Sequence, residues 1–333
     1  MTQWSNTKAS QQYTRLPHSD DDVENQNRQH KRKSGIDWRR WSAALVLLIM
    51  SCTSPSFRRE WRSLSQTEQL AYLDAVKCLI SLPSITGLNQ TLYDDFPYIH
   101  SRVGNYSHGT TAFLPWHRHI LHVYESTLRE KCNYNGHLTL DWQDIPSSPV
   151  FDSTYGFGGN GNLSSPKSVA YGHCVTDGPF ANMQALYFGV ENITHCFSRG
   201  FVTNETKKHE IAAQVRPDNL RRVLESETFE RFFAMLEYGP HNAIPKTIRG
   251  DFFRVTAPYD PLFFLHHTQL DRLWWQWQQA DVKRRVKKLS GKFFDNATDA
   301  AQVHAALHFG DFGPDVEVSK VLDTKQNGLC YVY

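Results

Sequence analysis

Four stretches of the chain repeat apolar residues at the three- and four-residue steps of an amphipathic helix. The first covers about 65–82 and opens with Ser65 and Glu68, whose spacing matches a capping box. The second predicts a helix that begins at Pro115, because proline is tolerated at the first helical position. The other two stretches cover about 219–237 and 260–279. The pattern therefore predicts four helices separated by longer irregular segments.

No linker, internal repeat or low-complexity stretch interrupts the chain from Arg58 to Tyr333, so we expect one domain. A Gly-rich segment, Phe157–Asn162, lies between the second and third predicted helices. It lacks the strand before it and the helix after it that a phosphate-binding loop requires. We therefore expect it to be a surface loop.

The first forty residues differ from this body. They are rich in Gln, Asn, Ser and charged residues and have no apolar periodicity, so residues 1–40 are predicted to be a disordered leader. The leader has eight Lys and Arg against five Asp and Glu, and most of its basic residues directly precede an apolar run, Trp41–Met50. Positive charge before such a run favours a cytosolic position for the leader.

The apolar run Trp41–Met50 has the length of the hydrophobic core of a signal peptide. If the segment continues to Phe57, a tight signal anchor becomes possible, so residues 41–57 are predicted to be a signal or signal-anchor segment. A buried core helix is the remaining alternative. An uncleaved anchor would give a single-pass type II membrane protein with a lumenal or extracellular domain, whereas cleavage would give a secreted protein.

Two features that follow the apolar run support this secretory route. The first is a set of N-glycosylation sequons, whose asparagines are Asn89, Asn105, Asn162, Asn192, Asn204 and Asn296. The second is the set of 6 cysteines, which are Cys52, Cys78, Cys132, Cys174, Cys196 and Cys330. An even number is compatible with three disulfides, in any of fifteen pairings, and free buried thiols are the alternative.

Composition excludes some function classes and draws attention to histidine. A net charge of +2 in 333 residues gives no general basis for nucleic-acid binding, but 16 histidines need an explanation. Two groups of them lie near predicted helices: His100, His108 and His117, and His241, His266 and His267. Imidazole suits copper, zinc, iron and nickel, and a set without carboxylate partners among aromatic side chains favours copper.

The same regions carry a family resemblance that covers about Cys52–Tyr333. Tyr106–Arg118 resembles the first copper motif of tyrosinases and catechol oxidases, and Asp260–Trp275 resembles the second. Arg59–Arg62 and Leu329–Tyr333 are similar to segments of the short fungal members. The resemblance implies that residues 58–333 form a mainly α domain whose central four-helix bundle holds two coppers, each through three histidines.

The resemblance also implies which histidines bind copper. The first ion would be bound by His100, His108 and His117. The second ion would be bound by His241 and His267, the latter on the face of the fourth helix that also carries Phe263, Leu270, Trp274 and Trp277. By the same resemblance His266 would face away from the metals. His119 and His122 are also expected to lie off the metal face.

One expected ligand of the second copper is absent. Family members have the sequence His-Asn-x-x-x-His, whereas this chain has His241 and Asn242 followed by Pro245. Proline has no metal-binding side-chain atom. Inside a helix that begins near residue 240 it would also remove a hydrogen bond and clash with the carbonyl of residue 241, which costs about 3 kcal/mol or more.

Two polar residues near this segment have an implied catalytic role. The resemblance places Glu237 and Asn242 where related enzymes hold a water that helps to deprotonate a phenol. The alternative for Glu237 is a surface acid at a helix end. Tyr106 occupies the position where some relatives have a cysteine that forms a thioether with the next histidine, so that bond is excluded here.

The resemblance implies a copper oxidoreductase that uses O2 to hydroxylate phenols or to oxidise catechols to o-quinones. Its substrates would be small phenols or tyrosyl peptides, as for fungal relatives in secondary metabolism. Water, a shifted residue or substrate would then occupy the position left by Pro245. Two alternatives are a copper-binding accessory homologue with a weakened second site and a sequence error at codon 245. With a weakened site, Pro245→His should raise both copper content and phenol oxidation.

Overall fold

The computed structural model describes residues 52–138, 147–293 and 302–333. Within these ranges the helices are α1 (Gln66–Ser81), α2 (Asp95–Arg102), α3 (Phe113–Cys132), α4 (Glu205–Ala212), α5 (Pro217–Leu224), α6 (Phe229–Leu236), α7 (Asn242–Ile248), α8 (Leu262–Gln279) and α9 (Val282–Arg285). The strands are β1 (Ser56–Phe57), β2 (His173–Cys174), β3 (Gln184–Phe188), β4 (Glu191–Cys196), β5 (Ser198–Arg199), β6 (Ala306–Leu307), β7 (Val316–Glu317) and β8 (Tyr331–Val332). A π-helical turn, Glu237–His241, joins α6 to α7.

The strands form small two-stranded pairs, so helices dominate the described part of the chain. Strand β1 pairs in parallel with β8, with Ser56 opposite Tyr331 and Phe57 opposite Val332. The pairs β2 with β5, β3 with β4, and β6 with β7 are antiparallel. The predicted mainly α fold is therefore confirmed. The central four-helix bundle stays a prediction.

Local sequence signals give some of the helix boundaries. The side chain of Ser65 accepts a hydrogen bond from the Glu68 backbone, and the Ser65 backbone donates to Glu68 Oε2 at 2.7 Å, so the predicted capping box opens α1. Helix α8 ends at Gln279, as predicted. Helix α3 begins at Phe113, before the predicted start at Pro115. The predicted helix over 219–237 is wrong as a single element, because α5, α6 and the π-helical turn divide it.

Two long helices form the centre of the hydrophobic core. Helix α8 packs against α3, and α3 also packs against α1. The rings of Tyr124 on α3 and Phe264 on α8 stack with their centroids 3.4 Å apart. Phe96 on α2 meets both rings edge to face, at 5.1 and 5.6 Å. Residues buried on nearly every side of α8 make it a central core helix, which positions any group that it carries inside the protein.

A buried charge cluster ties the two central helices together. Asp271 on α8 accepts a hydrogen bond from Arg118 Nε on α3 at 2.5 Å and one from Arg58 Nη1 at 3.2 Å. Tyr331 and Tyr333 also donate their hydroxyls to Asp271, at 2.6 and 2.5 Å. Burial raises the pKa of Asp271, but the charges of Arg118 and Arg58 lower it by more. The net shift is downward, so the carboxylate stays charged.

The Gly-rich segment is not a surface loop, contrary to the sequence-based expectation. Phe157, Gly158 and Gly161 are buried. The buried guanidinium of Arg199 donates to the backbone carbonyls of residues 157–159 and pairs with Asp260 at 2.7 Å. Backbone carbonyls that leave water need such a partner. The glycines therefore permit a close approach of backbone to a buried arginine rather than a mobile exposed turn.

The cysteines form three disulfides, which confirms that expectation and excludes free thiols. The pairs are Cys52–Cys330, Cys78–Cys132 and Cys174–Cys196. The second pair links the end region of α1 to the end of α3. The first pair lies beside the β1–β8 pairing, so both features hold the two ends of the domain together.

The predicted leader 1–40 and the apolar run Trp41–Met50 lie outside the described residues. The end of the predicted segment 41–57 lies inside them, where Cys52 is disulfide-bonded and Ser56–Phe57 pairs with β8. Across the described ranges, none of the helices combines the length and the apolar character that a bilayer crossing needs. The signal or signal-anchor assignment stays a prediction.

Candidate metal centre

Three histidines from separate elements converge to form a first triad. His100 lies on α2, His108 follows a short helical turn after α2, and His117 lies on α3. Each offers one ring nitrogen, and these three nitrogens lie within 4.8 Å of one another. The structure therefore brings together the histidines that the first motif predicted, in an arrangement that could hold a metal ion.

The hydrogen bonds of this triad define the tautomers of two rings. Nδ1 of His100 bonds to the backbone carbonyl of Val255 at 2.5 Å, and Nδ1 of His117 bonds to that of Phe113 at 2.7 Å. Because a carbonyl only accepts, both Nδ1 atoms carry a hydrogen and both Nε2 atoms are lone-pair acceptors. These two Nε2 atoms face each other at 3.1 Å. A positive ion between them would relieve the repulsion of the lone pairs.

Burial keeps these rings neutral, which is the state that binds metals. It lowers the pKa of His100 to about 3 and that of His108 to about 4, and it lowers the pKa of His117 well below its ordinary value. A proton therefore does not fill the space between the Nε2 atoms near neutral pH. Two nitrogens that bind one ion at about 2.0–2.1 Å lie about 3–4 Å apart, so the 3.1 Å separation fits a shared metal.

A second triad faces the first. His241 ends the π-helical turn, whereas His266 and His267 lie side by side on α8. One ring nitrogen from each lies within 4.8 Å of the other two. The expectation that His266 faces away is wrong: its ring centroid lies 5.5 Å from that of His241 and 5.2 Å from that of His267.

The two triads are in direct contact, as a paired metal centre requires. The rings of His117 and His267 stack with their centroids 4.2 Å apart and an interplanar angle of 9°. The rings of His108 and His241 lie 6.1 Å apart, and Phe113 contacts both His117 and His241 at 4.8 Å. Neither triad includes a carboxylate. A donor set made of imidazoles alone suits copper better than it suits hard cations.

This geometry agrees with what the chain is similar to. The family model described as the common central domain of tyrosinase matches residues 90–280, which is more than half of the chain and contains both triads. The chain belongs to the tyrosinase family. Tyrosinases are dicopper enzymes. The neutral, converging imidazoles of both triads fit copper ions.

Fungal relatives resemble this tyrosinase-family chain over most of its length. The tyrosinase-like protein phomQ2 of Diaporthe leptostromiformis is 43% identical over 288 residues, which cover 85% of this chain and 74% of the relative. The tyrosinase ustQ of Aspergillus flavus is 40% identical over 287 residues, covering 85% of this chain and 80% of the relative. A variant of the polyphenol oxidase of Thermothelomyces thermophila has a solved structure that matches with a TM-score of 0.65 and 28% identity, covering 89% of this chain and 92% of that one.

Pro245 lies inside α7 and brings no ligand to the tyrosinase-like site. The sequence predicted a clash between its ring and the carbonyl of His241 in a continuous helix. In the structure a π-helical turn ends at His241, and the α-helix α7 begins at Asn242. The change of helical type therefore falls at His241, the residue whose carbonyl Pro245 cannot bond.

Glu237 is a buried acid beside the centre rather than a surface acid. Its side chain lies at the start of the π-helical turn and is 4% exposed. Oε1 accepts the Gly109 backbone N–H at 2.8 Å, and Oε2 is buried with no hydrogen-bond partner among the described residues. Burial raises the pKa of Glu237 to about 7, although the bond from Gly109 acts in the opposite direction. Glu237 thus connects the loop of His108 to the turn of His241.

The remaining predicted polar residues have distinct positions. Asn242 is half-buried, and its backbone N–H donates to the carbonyl of Glu237 across the π-helical turn. His119 and His122 are half-buried and belong to neither triad; the His119 ring packs edge-on against Phe309 at 4.4 Å. The sequence analysis grouped His266 with His241 and His267, but the resemblance set it apart from the expected ligands.

Proposed function

We propose that this chain is a copper oxidoreductase that uses O2 to oxidise phenolic groups, either small phenols or tyrosyl side chains of peptides. The observation that carries the proposal is the contact between two buried histidine triads, in which the facing rings of His117 and His267 stack at 4.2 Å. The printed names of the fungal relatives, tyrosinase and tyrosinase-like protein, support the same class. A role in secondary metabolism, which the resemblance to the short fungal members implies, is part of the same proposal.

The first triad would hold one copper through His100, His108 and His117, and the second would hold another with His241 and His267 among its ligands. The copper pair would supply redox chemistry with O2. In the overall reaction two catechols lose four electrons and four protons to give two o-quinones, and one O2 takes them up as two waters. A phenol and one O2 give an o-quinone and one water.

The protein's own residues keep bulk water away from this reaction and accept a proton. Phe113 and Phe263 contact rings of both triads and are buried, so they keep bulk solvent away from the imidazoles. We assign Glu237 the role of general base toward the phenol hydroxyl, through a water held with Asn242. A carboxylate with a pKa of about 7 is a better proton acceptor near neutral pH than an ordinary glutamate.

This assignment predicts the acid side of the pH profile. Because the carboxylate form of Glu237 is present above its pKa of about 7 and lost below it, we expect phenol oxidation to fall as the pH drops through 7. Glu237→Gln should lower the rate by about 10²–10⁴-fold and remove this limb. The histidines have much lower pKa values, so they do not account for it. The measurement is the pH dependence of kcat/KM.

Glu230→Gln is the matched control, since Glu230 is an exposed acid on α6. It should leave both the rate and the profile unchanged. An acid limb that persists in Glu237→Gln would rule out the general-base role while leaving the metal assignment intact.

Oxygen uptake tests the proposed function directly. We expect the copper-loaded chain to consume O2 in the presence of a catechol and to form the corresponding o-quinone, with two catechols consumed per O2. The matched control is the same preparation after removal of copper by a chelator, which should be inactive until copper is restored. A fully copper-loaded, folded chain that consumes no O2 with simple catechols, phenols or tyrosyl peptides would refute the proposal.

We also propose a secretory route for the protein. The three disulfides belong to an oxidising compartment, and the described sequon asparagines (Asn89, Asn105, Asn162, Asn192 and Asn204) are all exposed. The predicted signal or signal-anchor segment at 41–57 would direct this route. Endoglycosidase digestion of the protein from its native host checks it, because an unchanged mobility would contradict lumenal exposure.

A further inference from the structure

The second triad contains an imidazole, that of His266, which the family resemblance does not count among the copper ligands. His266 and His267 are each 2% exposed, and ring nitrogens of His241, His266 and His267 lie within 4.8 Å of one another. Ligand nitrogens on one ion lie about 3–4 Å apart, so shifts of about 1 Å would complete a three-nitrogen site. The described residues therefore offer three imidazoles at the second position even though residue 245 is proline.

The orientation of His266 is linked to that proline. Pro245 has no N–H with which to bond the carbonyl of His241, four residues earlier, as the next helical turn normally would. The ring of His266 donates a hydrogen bond to the backbone of His241. An imidazole that donates through one nitrogen is held as the neutral tautomer whose other nitrogen can bind a metal.

The first triad uses the same arrangement. His100 and His117 each direct one ring nitrogen at a backbone carbonyl, those of Val255 and Phe113, and their other ring nitrogens converge. Such outer hydrogen bonds orient the ligands of metal sites. His266, with its bond to the backbone of His241, thus has the same support as two histidines of the first triad.

Packing holds the His266 ring in this place. The ring stacks on His241 at an interplanar angle of 19°, with the centroids 5.5 Å apart. Phe252 meets it edge to face at 5.7 Å. Since α8 is buried on nearly every side, a side chain that leaves it beside His267 still points into the protein rather than into solvent.

We propose that His266 is the third ligand of the second copper and replaces the imidazole that Pro245 lacks. The ligand set of that ion is then His241, His266 and His267, with two adjacent ligands from α8. No water, substrate or further residue is needed to bring the number of imidazoles to three. This inference rests on the proposed copper function and specifies how its second site is built.

Metal content and magnetic resonance test the assignment without relying on activity. His266→Gln removes the ligand nitrogen but keeps a side chain of similar reach, and His119→Gln is the matched control from outside both triads. After copper loading and dialysis, we expect about two coppers per chain in the unmodified protein and in His119→Gln, and about one in His266→Gln. Loss of a hydrogen bond that supports a ligand typically lowers metal affinity by about 10–100-fold. Loss of the ligand itself should lower the affinity for the second copper by more than that.

Electron paramagnetic resonance gives a second signature in the same samples. Two neighbouring Cu(II) ions that share a bridging ligand couple their spins and give little signal. We expect this silence in the unmodified protein and the signal of an isolated Cu(II) in His266→Gln. Pro245→His should not raise the copper content, because the second site already has three imidazoles.

Several results would overturn the assignment. Two tightly held coppers in His266→Gln, or a gain of copper in Pro245→His, would show that His266 is not the missing ligand. If the unmodified chain held two coppers and oxidised catechols, two tightly held coppers in His266→Gln would leave the proposed function standing. Two coppers that depend on His266 but oxidise no phenol would instead refute the function alone. One copper or none in the unmodified chain would refute both.

A crystal structure of the copper-loaded, unmodified chain keeps the test independent of any variant's folding. We expect a copper within about 2.0–2.1 Å of a ring nitrogen of His266, the usual distance for an imidazole ligand. A second copper whose coordination sphere excludes that ring would refute the assignment.

Discussion

His117→Gln is expected to reduce the rate of catechol oxidation by about 10³-fold or more. Enzymes typically accelerate their reactions by at least about 10⁶-fold, and here that acceleration depends on the redox chemistry of the metal centre. His117 contributes to both halves of the centre: its Nε2 faces that of His100 at 3.1 Å, and its ring stacks on His267 at 4.2 Å. Glutamine cannot replace the neutral imidazole donor. Initial rates of O2 uptake and copper content, measured on the same preparations, check this result.

His119→Gln is the control for this experiment as well. His119 lies on the same helix but contacts Phe309 and belongs to neither triad. It should keep its copper and at least half of its rate. Full activity in His117→Gln at normal copper content would contradict the assignment of the first triad.

Asp271→Asn is expected to destabilise the protein by about 3–5 kcal/mol, the usual cost of breaking a buried ion pair by removing one partner. The substitution keeps the size of the side chain but removes the charge that faces both Arg58 and Arg118, which are at most 2% exposed. Two buried guanidinium groups would then lose their shared carboxylate. Urea unfolding should show a lower midpoint with an unchanged slope.

The same change should disturb the metal centre, since Arg118 follows His117 on α3 and Asp271 lies one turn beyond His267 on α8. Asp311→Asn, at an exposed carboxylate outside the cluster, should change the free energy of unfolding by less than about 0.5 kcal/mol. An Asp271→Asn protein as stable as the unmodified one would show that the cluster does not stabilise the packing of α3 on α8.

What the sequence predicts well depends on local interactions. The capping box of Ser65 and Glu68 is complete within four residues, and it forms as expected. Helix α3 has no side-chain cap at Ala112, so the sequence offered only Pro115 as a start signal. Proline is also tolerated within the first turn, where backbone N–H groups have no helical partner, and the helix therefore begins at Phe113.

The predicted helix over 219–237 breaks because Thr228 caps a new helix, a local signal that the apolar periodicity obscured. The other features that the sequence did not predict depend on tertiary contacts. His266 was expected to face away because the family resemblance gave only His267 of the adjacent pair as a ligand. Because α8 is buried nearly all round, both side chains of the pair lie inside the protein. Similarly, the Gly-rich segment is buried because Arg199, distant in sequence, binds its carbonyls.

The disulfide between Cys52 and Cys330 would keep the two halves of the domain covalently joined after one proteolytic cleavage between them. Cys78–Cys132 lies wholly on the N-terminal side of residues 133–173, and Cys174–Cys196 lies wholly on the C-terminal side. One cleavage between residues 133 and 173 would give two fragments joined only by Cys52–Cys330. The nicked protein would migrate as a single species until a reductant separated its halves.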